Sequence, residues 1–376
     1  MPAPLAPSLT LRAGPDALAL LRARGLRGDD VTVVPGASGG AKWLALAGLD
    51  RYVFGELLQA PRDRPLHAIG SSIGSWRLAC LAQRDPAAAL ARGHHAYIHE
   101  QRYSGLKPPP AEVSAVLGRA LARLLGETGP DEILAHPHVR LHVLTAEARG
   151  AAASARRGVL TAALGAAAAA NAVSRRTLGW RLTRCVFHAC DARGEASPFR
   201  ALADLPTVHR PLTRENLAPA LAASGSIPLL MEGVRVPGAP GLHWDGGTLD
   251  YHLDLDFGAD GDEPDGRPGL VLYPHFYPHL VPGWFDKGLP WRRARGPAHA
   301  RRFRRALLVA PSPAFVAALP GGKIPDRRDF YALPEPERVR RWQAVADASA
   351  RLGDELRALV DAGRVADAAR PWDAPA

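Results

Sequence analysis

Ser72, within Gly70-Ser71-Ser72-Ile73-Gly74, is the first residue whose setting suggests chemistry. The pattern is G-x-S-x-G. Glycines at 70 and 74 let the backbone turn sharply between a strand and a helix, which lifts the hydroxyl above a sheet as a nucleophile. The same five residues also suit an ordinary tight turn. A second segment, Gly36-Ala37-Ser38-Gly39-Gly40-Ala41-Lys42, follows an apolar run and precedes a helical one. Its amides would converge where an anion, or the oxyanion of an acyl transfer, is held. The segment approaches the phosphate-loop pattern G-x-x-x-x-G-K, but Ala41 replaces the second glycine and Trp43 stands where a hydroxyl would hold magnesium. In Trp244-Asp245-Gly246-Gly247 a carboxylate sits at the end of an extended stretch, as a reactive group or as an Asx turn.

These groups need elements to position them. Residues 30–34 are β-branched and read as a strand, and 41–58 carry apolar residues at helical spacing. Residues 65–69 repeat the strand pattern, with a helix over 75–83. Two successive strand–turn–helix units predict an α/β fold, a three-layer α/β/α sandwich on a largely parallel central sheet. Both glycine-rich turns then lie at the carboxyl edge of the strands, where such sheets bind ligands. Further helices are expected at 111–125, 159–173 and 215–221, and strands at 139–144, 184–189, 270–273 and 306–309. Residues 1–334 form the domain, and 335–376 a charged helical C-terminal extension of the same unit.

The three motifs, in this order, resemble the patatin-like phospholipase family, which pairs an oxyanion glycine loop, a G-x-S-x-G elbow and an Asp-Gly-Gly or Asp-Gly-Ala motif. A fourth stretch, Ala223-Ser224-Gly225-Ser226-Ile227-Pro228, is similar to the family's Ala-Ser-x-Ala-x-Pro segment. The resemblance covers about 31–249. It implies Ser72 as nucleophile, Asp245 as general base, backbone amides of Gly39, Gly40 and Ala41 as oxyanion donors, and Lys42 as the basic residue after the glycines. Ser38 and Trp43 depart from the family's glycines. The implied activity is hydrolysis of a lipid or other carboxylic ester through an acyl-enzyme, with no cofactor.

A carboxylate of ordinary pKa near 3.9 is a weak base, so a Ser-Asp dyad predicts an Asp245 raised by burial. A conventional α/β-hydrolase would share Ser72 but need a late histidine, for which His275, His279 and His299 are the candidates. A third reading is a catalytically silent lipid-binding scaffold. The groups His94, His95, His99 and His136, His138, His142 lack well-spaced carboxylates or thiolates, so no metal site is expected.

The chain has 376 residues, a net charge of +10 carried mostly by arginine, and 47% hydrophobic residues. Three cysteines without C-x-x-C spacing argue against a disulfide framework or a zinc site. With no leader-like start and no run of about 20 apolar residues, the expectation is a cytoplasmic protein. Between 273 and 305, Trp284, Phe285 and Trp291 alternate with Lys287, Arg292, Arg293 and Arg295. That mixture suits peripheral contact with an anionic membrane. No nucleic-acid motif accompanies it.

Overall fold

The computed structural model describes residues 6–190, 195, 197–257 and 269–372. Its centre is a ten-stranded sheet: β1 (Leu9–Ala13), β2 (Val31–Gly36), β3 (Leu66–Ser71), β4 (Val139–Ala148), β5 (Leu182–His188), β6 (Thr207–Pro211), β7 (His243–Asp245), β8 (Leu270–Pro274), β9 (Ala306–Pro311) and β10 (Ala369–Pro371). The order is β10-β1-β9-β8-β2-β3-β4-β5-β6, with β7 paired to β4. From β9 through β8, β2 and β3 to β4 every pairing is parallel. Antiparallel pairings join β1 to β9 and β5 to β4. The central strands β2, β4, β5, β8 and β9 are buried almost throughout, as expected for strands covered on both faces. The fold is therefore an α/β sandwich with a mostly parallel sheet.

Helices α1 (Pro15–Arg24), α2 (Ala47–Gly55), α3 (Ile73–Leu81), α4 (Pro86–His99), α5 (Pro110–Leu125), α6 (Gly129–Ala135), α7 (Arg157–Val173) and α8 (Leu217–Gly225) flank the sheet. All nine residues of α3 are buried, so the helix behind Ser72 cannot shift without disturbing the core. A buried ion pair locks it to α2: Arg77 donates to both Asp50 oxygens at 2.8 and 2.6 Å. Residues 40–46 coil as a 3₁₀ helix before α2 begins, where sequence periodicity suggests one continuous α-helix. The left-handed Gly40 (φ 54°) starts that tighter turn.

The C-terminal segment is not a loose tail. Helix Glu335–Ala348 buries Trp342 completely, and Ala350–Asp361 crosses α2 so closely that a Cβ on Gly353 would lie 2.5 Å from the Gly48 carbonyl oxygen. β10 then extends the sheet beside β1.

Candidate active site

Strand register brings Ser72 and Asp245 together. β3 pairs with the first part of β4, ending at Ser71 opposite Leu144. One residue farther along the same edge of β4, β7 begins its pairing with Asp245 opposite Thr145. The two strands thus abut end to end on β4, and the residue that leaves β3 meets the residue that closes β7. Ser72 Oγ donates to Asp245 Oδ2 at 2.7 Å.

Ser72 occupies φ 55°, ψ −133°, a conformation an L-residue adopts at a cost of about 1–3 kcal/mol and which surrounding contacts must hold. Those contacts are present. The Ser72 N–H donates to Ser224 Oγ at 2.8 Å, and the Ser224 hydroxyl donates to the Leu144 carbonyl at 2.6 Å. Ser75 Oγ donates to the Ser72 carbonyl at 2.6 Å. Ser224 therefore ties the elbow to β4, which gives the Ala-Ser-Gly-Ser-Ile-Pro stretch its physical role. Because the Ser72 amide is used here, oxyanion donors must come from elsewhere.

The glycines are fixed by close approach. A Cβ on Gly74 would lie 2.0 Å from the Gly36 carbonyl oxygen, so the elbow and the glycine loop pack backbone to backbone. Gly70 faces Ser75 Cα in the same way, at 2.6 Å. A Cβ on Gly247 would lie 2.4 Å from Ser38 Oγ, and Ser38 Oγ bonds Ser71 Oγ at 3.0 Å. Ser38, Gly39, Gly40, Ala41 and Lys42 line the same cavity as Ser72 and Asp245, a space of about 1060 Å³. Val113, Leu117, Ile227, Leu230, Phe330 and Leu333 form apolar parts of its wall.

Asp245 is buried, and desolvation pushes its pKa up to about 6. Hydrogen bonds from Ser72 and from the Gly247 N–H (2.7 Å to Oδ1), together with nearby Lys287, oppose the rise. A carboxylate poised there is a far better base than an exposed one, yet remains mostly ionised at neutral pH. Lys287 lines the same cavity, its Nζ 3.8 Å from the centroid of the Tyr251 ring. Desolvation, then repulsion from Lys42, lowers the Lys287 pKa to about 7. Desolvation lowers that of Lys42 as well.

The late histidines lie in different settings. His275 Nδ1 is engaged by the Tyr277 backbone, with the N–H at 2.9 Å and the carbonyl at 2.7 Å. His299 Nδ1 bonds Asp254 at 2.9 Å. His279 lines the cavity, as does His252, which the motifs did not single out. The hydrogen bond of Ser72 Oγ goes to Asp245.

The histidine groups seen in sequence do not converge as units. Instead His67, His142, His188 and His209, from four neighbouring strands, form a hydrogen-bonded chain with contacts of 3.0, 2.8 and 2.8 Å. Ligand atoms of His142, His188 and Cys190 lie within 4.8 Å of one another and could hold a metal, though each central ring already uses both nitrogens in the chain.

In the basic aromatic stretch, Phe276 and Phe303 are core residues, whereas Trp284 and Trp291 remain 37% and 63% exposed. Arg302 pairs with Asp254. No helix among the described residues is long and apolar enough to cross a membrane. No family model, curated protein or solved structure matches the chain.

Proposed function

We propose that the protein is a carboxylic ester hydrolase working through a Ser72–Asp245 dyad. The observation that carries this reading is the 2.7 Å hydrogen bond from Ser72 Oγ to a buried carboxylate whose pKa is raised to about 6.

In the first half-reaction Ser72 Oγ attacks the ester carbonyl carbon while its proton passes to Asp245 Oδ2. The carbonyl oxygen becomes an oxyanion, held by amides of the turn at Gly39, Gly40 and Ala41, with Lys42 beside them. One well-placed donor of this kind contributes about 2.7–4 kcal/mol to the barrier. Collapse expels the alcohol, which takes the proton from Asp245 and leaves an acyl-Ser72. Asp245 then removes a proton from water, the hydroxide attacks the acyl carbon, and the proton returns to Ser72 Oγ as the acid departs. Neither half-reaction calls for a histidine or a cofactor.

The cavity favours an ester with an acyl chain of several carbons. Its volume of about 1060 Å³ and its apolar walls are suited to a lipid-sized ligand. Exposed Leu106, Trp284 and Tyr331 are among the residues lining it. They supply apolar contacts for peripheral membrane docking, now centred on the cavity mouth rather than on the whole basic stretch.

The test is hydrolysis of a series of 4-nitrophenyl esters from acetate to decanoate. The reading expects turnover in wild type, better with the longer chains, and a loss of at least about 10³-fold in Ser72→Ala, the scale on which removal of a nucleophile acts. Vesicle binding without cleavage of any ester would favour a silent lipid-binding scaffold.

A further inference from the structure

His142 on β4 and His188 at the end of β5 sit directly opposite each other in the antiparallel ladder, and Cys190 follows two residues beyond His188. All three are fully buried. One ring nitrogen of each histidine and the Cys190 sulfur lie within 4.8 Å of one another. The two rings face each other through their Nδ1 atoms at 2.8 Å, while their Nε2 atoms bond His67 Nδ1 at 3.0 Å and His209 Nδ1 at 2.8 Å. Spacing within a segment hides this group, because 46 residues separate the two central histidines.

The contacts are symmetric about the Nδ1–Nδ1 pair, whereas a chain of neutral rings is not. Each neutral ring carries one N–H, so if His142 donates to His188 from Nδ1, its Nε2 has to accept from His67 while His188 donates on to His209. A cation at the centre restores the symmetry. Both Nδ1 lone pairs then go to the ion, both Nε2–H groups donate outward, and His67 and His209 become the acceptors that fix the tautomer and orientation of a metal-bound ring. Bonds of about 2.0–2.1 Å to nitrogen and 2.3 Å to sulfur set the ligand atoms of a tetrahedral zinc ion about 3.3–3.6 Å apart, so the Nδ1 pair has to part by only about 0.5 Å. The loop carrying Cys190 is anchored close by. Glu195 N–H donates to the Cys190 carbonyl at 3.2 Å, and Arg140, two residues before His142, donates to both Glu195 oxygens. Phe199 closes the group edge-on, 4.9 Å from the His142 centroid.

We propose that His142 Nδ1, His188 Nδ1 and the Cys190 thiolate bind a zinc ion, with His67 and His209 supporting the two rings and one position left for water. Imidazole and thiolate are donors that favour zinc over magnesium or calcium. On binding, the Cys190 thiol gives up its proton and every ring keeps one N–H, so one proton leaves per ion. The site ties β4, β5 and the loop after β5 to one another. It lies three residues along β4 from the Thr145–Asp245 pair, about 10 Å at strand rise, so it is structural and independent of the hydrolase reading.

The experiment refolds the full chain from denaturant with a chelator and a thiol-free reductant, removes the chelator, and titrates with Co(II), a spectroscopic stand-in that zinc then displaces. One Co(II) per chain is expected, with a thiolate-to-cobalt charge-transfer band in the near ultraviolet and strong tetrahedral d–d bands, both erased by stoichiometric zinc. Cys190→Ser should abolish the charge-transfer band, and Cys80→Ala should retain it. His209→Ala removes only an outer acceptor on the edge strand β6 and should weaken zinc binding about 10–100-fold, a second readout should Cys190→Ser fail to fold. Weakly coloured octahedral cobalt alone in folded wild type, a charge-transfer band that persists in Cys190→Ser, or zinc affinity indifferent to His209→Ala overturns the site.

Discussion

Replacing Asp245 with asparagine should abolish activity and, at the same time, make the protein more stable. Burial raises the carboxyl from 3.8 to about 6, so between those values the folded chain holds a proton that the unfolded chain has released. Stability contributed by this group therefore falls as pH rises through that window. At about 1.4 kcal/mol per pH unit, the accumulated cost above pH 6 is about 3 kcal/mol. Asparagine removes it. Its carbonyl can accept the Gly247 N–H, and its NH₂ can donate to Ser72 Oγ, so both native partners stay bonded. Urea unfolding of the two proteins should give Asp245→Asn an advantage of about 3 kcal/mol at pH 8, shrinking to roughly half that at pH 5. Equal stabilities at pH 8, or an advantage that grows on acidification, would refute the claim that the site stores an uncomfortable charge.

Other outcomes follow from the same geometry. With a neutral ester, kcat/KM should fall about tenfold per pH unit below about 6 as Asp245 takes up its proton, and Lys287→Met, which removes a nearby cation, should move that limb to higher pH. Ser224→Ala leaves the buried Ser72 N–H without its acceptor, so it should cost about 1–3 kcal/mol in urea unfolding and slow acylation of Ser72. Asp50→Ala strands the buried Arg77 guanidinium behind the elbow helix and should destabilise by about 3–5 kcal/mol.

Much of this site is legible in the linear sequence because its parts are local. The elbow and the glycine loop each combine a strand end, a tight turn and a helix start, and glycine marks the places where backbone meets backbone, as at Gly36 against Gly74. What cannot be read locally is how strands abut. Nothing in residues 66–71 or 243–245 says that β3 and β7 share one edge of β4, yet that register sets the Ser72–Asp245 distance. Lys287 is hidden for a similar reason. In sequence it is one cation among many in a basic aromatic stretch, and only the fold of 282–287 turns it over Tyr251.

Short edge elements also escape pattern reading. β6 is only partly buried and holds His209, Arg210 and Pro211, and β10 is three residues long, so neither offers a clear apolar alternation. The charge of the C-terminal helices suggests a solvated extension, but Trp342, Leu352 and Leu356 are enough to seal that segment onto α2 and its surroundings. The histidine chain crosses four strands separated by long stretches, so spacing within any one segment carries no trace of it.

The most direct test of the dyad is covalent labelling by a long-chain alkyl fluorophosphonate, read by intact mass and peptide mapping. Wild type should gain a single adduct on Ser72, lost or greatly slowed in Asp245→Asn and retained in His275→Ala, His279→Ala and His299→Ala. No adduct on Ser72, or labelling indifferent to Asp245 and abolished by one of those histidine substitutions, would contradict the account.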